Sequence, residues 1–147
     1  MRIKLLAALA ITGLLPGFVT AHDHGNKHEA AIRAAVFDYF HGQGEASAER
    51  LNRAFAADSA TMVGVVRDAD GKESVRAWKD MTSVLANWSA NDNPPGSERE
   101  GEILSMDIVD DRIAVVLFKS TDRFYDALTL VYIDEEWKII QKAFVLQ

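Results

Sequence analysis

Apolar residues recur at two different spacings along this chain, and the change between them divides it. In the first part the spacing is helical. Ile32, Ala35, Val36 and Tyr39 fall at i, i+3, i+4 and i+7, which predicts a helix from about Lys27 to His41 with Gly42 as its stop. After the linker Gln43-Gly44-Glu45, Ser47 is placed to cap a second helix from Ala48 to about Ala56, turning Leu51, Ala54 and Phe55 inward. Met62–Val66 reads as a short strand closed by an Asp70-Gly71 turn. A third helix is expected from about Ser74 to Trp88, with Val75, Trp78, Met81 or Thr82, Leu85 and Trp88 as its apolar stripe. Pro94-Pro95 then enforces a loop.

From Gly101 to Gln147 the spacing shortens to two, and the segment reads as four strands in two hairpins. Glu102–Val109 and Arg112–Lys119 flank Asp110-Asp111, while Phe124–Asp134 and Trp137–Leu146 flank Glu135-Glu136. Two-residue turns would put Leu104, Met106 and Ile108 on one face with Ile113, Val115 and Leu117, toward the helices. In the second hairpin they would pair Leu128, Leu130 and Tyr132 with Ala143, Gln141 and Ile139, with Asp126 and Trp137 on that same inner face. Lys138 and Lys142 would point outward beside Val131, Ile133, Ile140 and Phe144. An apolar patch on the outer side of an antiparallel sheet predicts a partner, most simply a homodimer through that face.

Composition narrows the function. The 147 residues, 48% of them hydrophobic, suit one compact domain. A formal charge of -6 with no basic run in the body of the chain argues against nucleic-acid binding. Arg2 and Lys4, the apolar stretch Leu5–Val19 and the small-residue site Val19-Thr20-Ala21 have the plan of a secretory signal peptide. The expected layout is therefore a signal peptide over 1–21, a polar disordered tail over 22–27 and a folded domain over 28–147. The mature protein would be periplasmic or secreted and would have no stable membrane span after cleavage. With no cysteine, it must be held by its core alone.

Particular segments carry a family resemblance. Ala30-Ala31-Ile32-Arg33 with Asp38-Tyr39-Phe40-His41-Gly42, and Glu49-Arg50-Leu51-Asn52-Arg53-Ala54-Phe55, resemble the first two helices of the putative lumazine-binding family. Phe124-Tyr125-Asp126-Ala127-Leu128-Thr129-Leu130 and Trp137-Lys138-Ile139-Ile140-Gln141-Lys142-Ala143-Phe144 resemble its closing hairpin. Two positions depart from the pattern: Glu135-Glu136 stands where the family often has Asp-Gly, and Gln141 where it often has Asn. The resemblance implies the cone-shaped α+β fold of the nuclear transport factor 2-like superfamily, with N-terminal helices packed on a curved antiparallel sheet. That superfamily hosts isomerases, dehydratases, cyclases and pure binding domains, so the fold alone assigns no reaction.

The mouth of such a cone is where a small molecule would sit. Tyr39, Phe55, Trp78, Tyr132 and Trp137 are the candidate lining, with Asp126 and Gln141 as its polar groups. The leading expectation is a non-catalytic small-molecule-binding domain. One alternative is a lyase or isomerase using Asp126 as general base and Tyr39 or Tyr132 as donor to a developing oxyanion. Another is a dimeric interaction module whose aromatics simply fill the pocket. His28 and His41 are the only histidines of the folded domain, and His41, beside Gly42, is expected to be a solvated residue at a helix end. No motif calls for a cofactor, and Asp68-Ala69-Asp70-Gly71 lacks the closing Glu of a calcium loop. The one weak metal candidate is the cleaved tail, where a new amine at His22 with His24 in third position would suit Cu(II) or Ni(II).

Overall fold

The computed structural model describes residues 22–121 and 123–147. The expected signal peptide, residues 1–21, lies outside them, as do the side chains of His22 and His24. Among these described residues three helices, α1 (His22–Glu45), α2 (Ala48–Ala54) and α3 (Met81–Ser89), pack on one six-stranded sheet. Its strands are β1 (Thr61–Arg67), β2 (Glu73–Trp78), β3 (Gly101–Val109), β4 (Ile113–Ser120), β5 (Phe124–Ile133) and β6 (Glu136–Leu146). They lie in the order β2-β1-β6-β5-β4-β3, a curved, unclosed sheet in which only the β1–β6 pairing is parallel. Among the described residues no helix is long and apolar enough to cross a membrane.

α1 is longer at both ends than the periodicity suggests. Its backbone is helical from His22, through the segment read as a tail, and it runs past Gly42 to Glu45. Gly42 does not stop it because that position is needed for packing: an added Cβ would lie 3.0–3.1 Å from Arg50 and Leu51 of α2. The turn falls instead at Ala46, with φ of 54°. His41 accordingly stands inside the helix, half-buried and stacked on Phe37 at 5.7 Å between ring centres, and not at a solvated end. The inward face of α1 is as expected, with Ile32, Ala35, Val36 and Tyr39 buried and Phe40 beside them. Ser47 caps α2 by accepting from the Arg50 N–H. Arg53 of α2 donates to Asp38 of α1 at 2.9 and 3.0 Å, fixing the two helices together.

The expected third helix is half strand. Glu73–Trp78 pairs with β1 across the Asp68–Lys72 turn, in which Asp68 accepts from the Asp70 and Lys72 N–H groups. Val75, assigned to the helical stripe, is 74% exposed on this edge strand. Asp80 then resets the backbone: its carboxylate accepts from the Ser83 N–H at 3.0 Å and the Ser83 hydroxyl at 2.6 Å, starting α3 one residue later.

Both hairpins depart from the expected register, each for a local reason. In the first, Asp110 and Asp111 take positive φ, Arg112 is an extra residue, and Val109 pairs with Ile113. That one residue turns Ala114, Val116 and Phe118 inward and leaves Ile113, Val115 and Leu117 outside, the reverse of the expectation. On β3 a second irregularity between Ile103 and Ser105 puts Leu104 outside while Met106 and Ile108 keep their core contacts. In the second hairpin the turn is Asp134-Glu135, both at positive φ, and not Glu135-Glu136. Tyr132 therefore pairs with Trp137 and Leu130 with Ile139, after which a bulge makes Thr129 pair with Gln141. Beyond that bulge every side chain of β6 changes face.

Candidate functional site

The bulge decides the chemistry of the site. It sends Gln141 out to solvent, so Gln141 is not a cavity residue, and it brings Lys142 and Phe144 inside. Lys142 is 3% exposed and Asp126, on the neighbouring strand, is 2% exposed. The Lys142 ammonium is paired with Asp126 Oδ1, while the Tyr39 hydroxyl donates to Asp126 Oδ2 at 2.8 Å. Helix α1 thus supplies the phenol, β5 the carboxylate and β6 the amine of one buried polar group.

Around its charged end Lys142 meets aromatic faces. Its Nζ lies 4.9 Å from the centre of the Phe124 ring, 4.8 Å from that of Phe144 and 5.2 Å from that of Tyr39. Phe144 can take that place because β1 carries Gly64 beneath it: a Cβ there would collide with the Phe144 ring. Burial and neighbouring charge work against each other in this group. Burial lowers the Lys142 amine to about 8, against the opposing pull of Asp126. Burial likewise raises the Asp126 carboxyl, opposed by Lys142 and by the Tyr39 hydrogen bond. Tyr39 is held well above its ordinary range, first by burial and then by the Asp126 charge.

Above this floor lies a cavity of about 550 Å³ between α1, α3, β1, β2 and β6. Trp78, Trp88, Met62, Phe124 and Phe144 form its apolar wall, and Tyr39 and Lys142 its floor. Arg76, Lys79, Asp80 and Ser83 stand on the β2–α3 side, with Gln43 and Arg123 across from them. The Arg76 guanidinium rests 4.9 Å over the Trp78 ring. Gln43 also accepts from Arg99 at 3.4 Å, whose guanidinium lies 4.2 Å over the Phe40 ring. Among the described residues, no group of three His, Cys, Asp or Glu side chains could hold a metal.

Of the residues expected to line a pocket, Tyr39 and Trp78 do so. Asp126 sits directly behind the wall and reaches the cavity only through its two partners. Phe55 is core, packed edge-on against Tyr39 at 5.5 Å. Tyr132 and Trp137 lie elsewhere, in a separate cluster where the Trp137 indole donates to His28 Nδ1 at 3.0 Å. Lys142, Phe144, Phe124 and the cations of the β2–α3 corner were missed by sequence reasoning. The first two had a readable signal. Counting by twos from Trp137 gives Ile139 and Gln141, whereas counting back from Leu146 gives Phe144 and Lys142. The two parities collide at Ile139-Ile140, where the bulge lies.

Known proteins agree with this architecture. A nuclear transport factor 2-like protein of unknown function from Shewanella baltica superposes with a TM-score of 0.66 at 22% identity, over 83% of this chain and 95% of that one. Another from Methylobacillus flagellatus gives 0.64 at 25% identity, over 88% and 96%. A ketosteroid isomerase-like protein from Erwinia carotovora gives 0.56 at 16% identity, over 82% and 97%. No curated protein matches the chain. The family model described as putative lumazine-binding matches residues 27–145, nearly the whole described domain. The chain belongs to that family, within the nuclear transport factor 2-like superfamily.

Proposed function

We propose that the domain binds a small molecule without transforming it, in the cavity floored by Lys142 and walled by Trp78, Trp88 and Phe144. The observation that carries this reading is an open space of about 550 Å³ with aromatic walls and one converging polar group. That space is large enough for a bicyclic heterocycle, and the aromatics line it instead of filling it. The pure interaction module with a plugged cone therefore loses its basis. The lyase or isomerase alternative is weakened by Asp126 itself. Both of its oxygens already accept hydrogen bonds, and it does not face the cavity, where a general base would have to meet its substrate.

The family's name makes lumazine the first compound to try. Calorimetric titration of lumazine into the wild-type protein and a Trp78→Ala variant tests the reading. Saturable one-to-one binding that weakens about fivefold or more in the variant is expected, because a stacked ring contributes on the order of 1–3 kcal/mol. Binding that is indifferent to Trp78 would put the ligand outside this cavity and contradict the proposal.

The proposal includes a homodimer through the outer face of the sheet. Leu117, Ala127, Ala143 and Val63 form one cross-strand row there, next to a second row of Tyr125, Val145, Val65 and Val75. Together they border a groove of about 320 Å³. It also includes export, for which the support is the N-terminal sequence alone. Sequencing the amino terminus of secreted material should return His22, and an intact Met1 would defeat that part.

A further inference from the structure

We infer that the ligand of this cavity is an aromatic anion, a flat ring system carrying a carboxylate or a comparable acidic group. The inference rests on the binding reading above and adds the charge of what is bound.

Its basis is which charges at the cavity are already spent. Two carboxylates stand at or behind the wall, and both are occupied. Asp80 is engaged by the Ser83 N–H and hydroxyl, which hold its carboxyl below the ordinary range. Asp126 is engaged by Tyr39 and Lys142. The cations are in the opposite condition. Among the described residues, Arg76 and Lys79 make no hydrogen bond or ion pair with any carboxylate, although both stand in the cavity wall. Arg76 is held by the Trp78 ring face alone, which leaves the edge of its guanidinium, where the N–H groups are, free to donate. Among the described residues Lys142 makes one hydrogen bond, to Asp126, and otherwise meets aromatic faces. An ammonium has three N–H donors, so its donor capacity is not exhausted.

This excess of free positive charge runs against the composition of the chain. The protein carries a formal charge of -6, so an unpaired Arg and Lys gathered at its main cavity are a local arrangement and not the sign of a generally basic surface. Four arginines away from the cavity are paired with carboxylates, Arg33 with Glu29, Arg50 and Arg53 with Asp38, and Arg67 with Glu73, whereas Arg99 is held by Gln43 and the Phe40 ring and makes no ion pair among the described residues. The wall between these cations is aromatic and flat, set by Trp78, Trp88 and Phe144. A flat ring set against this aromatic wall would lie near the Arg76 guanidinium, with an acidic substituent within its reach. A neutral ligand of the same shape would leave these donors as they are, and a cationic one would be repelled.

Matched probes separate charge from shape. 2-Naphthoate and its neutral amide, 2-naphthamide, have the same ring system, and both can be titrated calorimetrically at pH 7. The acid is expected to bind about tenfold tighter or better, the worth of a hydrogen bond to a charged group. Arg76→Gln and Lys79→Gln together should bring the ratio of acid to amide affinity down to about one. Both side chains belong to exposed residues, so the fold is retained, and circular dichroism melts of the variant verify it. Raising the salt to about 0.5 M should weaken the acid alone. Amide binding as tight as the acid would overturn the inference and leave cavity binding standing. An acid advantage that survives the double variant would also overturn it, because the anion would then be held by other groups. Failure of both probes to bind would overturn the inference, while the lumazine titration decides the reading beneath it.

Discussion

Replacing Lys142 by Met keeps most of the aliphatic stem and removes the ammonium, which strands Asp126 in a site where it is 2% exposed. Breaking a buried pair from one side typically costs about 3–5 kcal/mol. The structure supplies a ceiling as well. The carboxylate can escape by taking a proton, and from an ordinary value of 3.8 to pH 7 that is a little over three pH units. At about 1.4 kcal/mol per unit, protonation caps the stranding cost at roughly 4 kcal/mol. At pH 5 the same reasoning leaves a cap of only about 2 kcal/mol. Urea unfolding of both proteins at the two pH values should therefore show a destabilisation that roughly halves on acidification. Adding Asp126→Asn to Lys142→Met removes the stranded charge and should restore at least half of the loss at pH 7. A single-variant cost under about 1 kcal/mol, or one independent of pH, would refute the reasoning. It would mean that Lys142 and Asp126 are solvated and do not form a buried floor.

Three further outcomes follow from the same geometry. The Lys142 amine is lowered to about 8 when folded, against 10.5 ordinarily, so the unfolded chain binds more protons between those values and stability should rise with pH across that window. Tyr39 is raised above its ordinary value of 10, so its contribution is present below pH 10 and is lost as pH rises further. Urea midpoints measured from pH 7.5 to 11 should therefore pass through a maximum near pH 10, and Lys142→Met should lack the rising limb. Trp78 faces an open cavity, so Trp78→Ala should cost about 1–2 kcal/mol in urea unfolding, below the 3–5 kcal/mol of a core aromatic; a loss at the core value would mean the ring is structural. Leu117→Glu places a charge on the outer sheet face and should convert a dimer to a folded monomer by light scattering, whereas a wild-type protein already monomeric at high concentration would remove the basis for that interface.

Much of the fold was legible because hydrophobic spacing reports burial directly. Ile32, Val36 and Tyr39 marked the inner face of α1, Ser47 its neighbour's start, and the alternation after Gly101 the sheet. The errors arose where one residue outweighed the pattern. β4 is apolar at six successive positions from Ile113 to Phe118, so its faces could only be assigned through the turn, and the extra Arg112 inverted them. The Ser74–Trp78 segment fits a helix by spacing, yet it pairs as an edge strand because Asp80 supplies a better helix start after it. The site suffered most. A buried lysine is invisible to a hydrophobic pattern, and Lys142 reaches the floor only through the bulge at Ile139-Ile140. Asp126 and Tyr39 were legible from the alternation of β5 and the stripe of α1, whereas the cations of Arg76 and Lys79 depended on β2, which spacing alone did not reveal.

The protein's three tryptophans allow the central claim to be read in one spectrum. Trp78 and Trp88 line the cavity, while Trp137 lies in the separate cluster, bonded to His28. In a ¹⁵N-labelled sample each indole N–H gives its own signal, and titration with lumazine or 2-naphthoate should shift those of Trp78 and Trp88 together with a common midpoint. The Trp137 signal should stay in place. Movement of Trp137 with the other two fixed, or saturable binding that leaves all three unmoved, would contradict a ligand site floored by Tyr39 and Lys142.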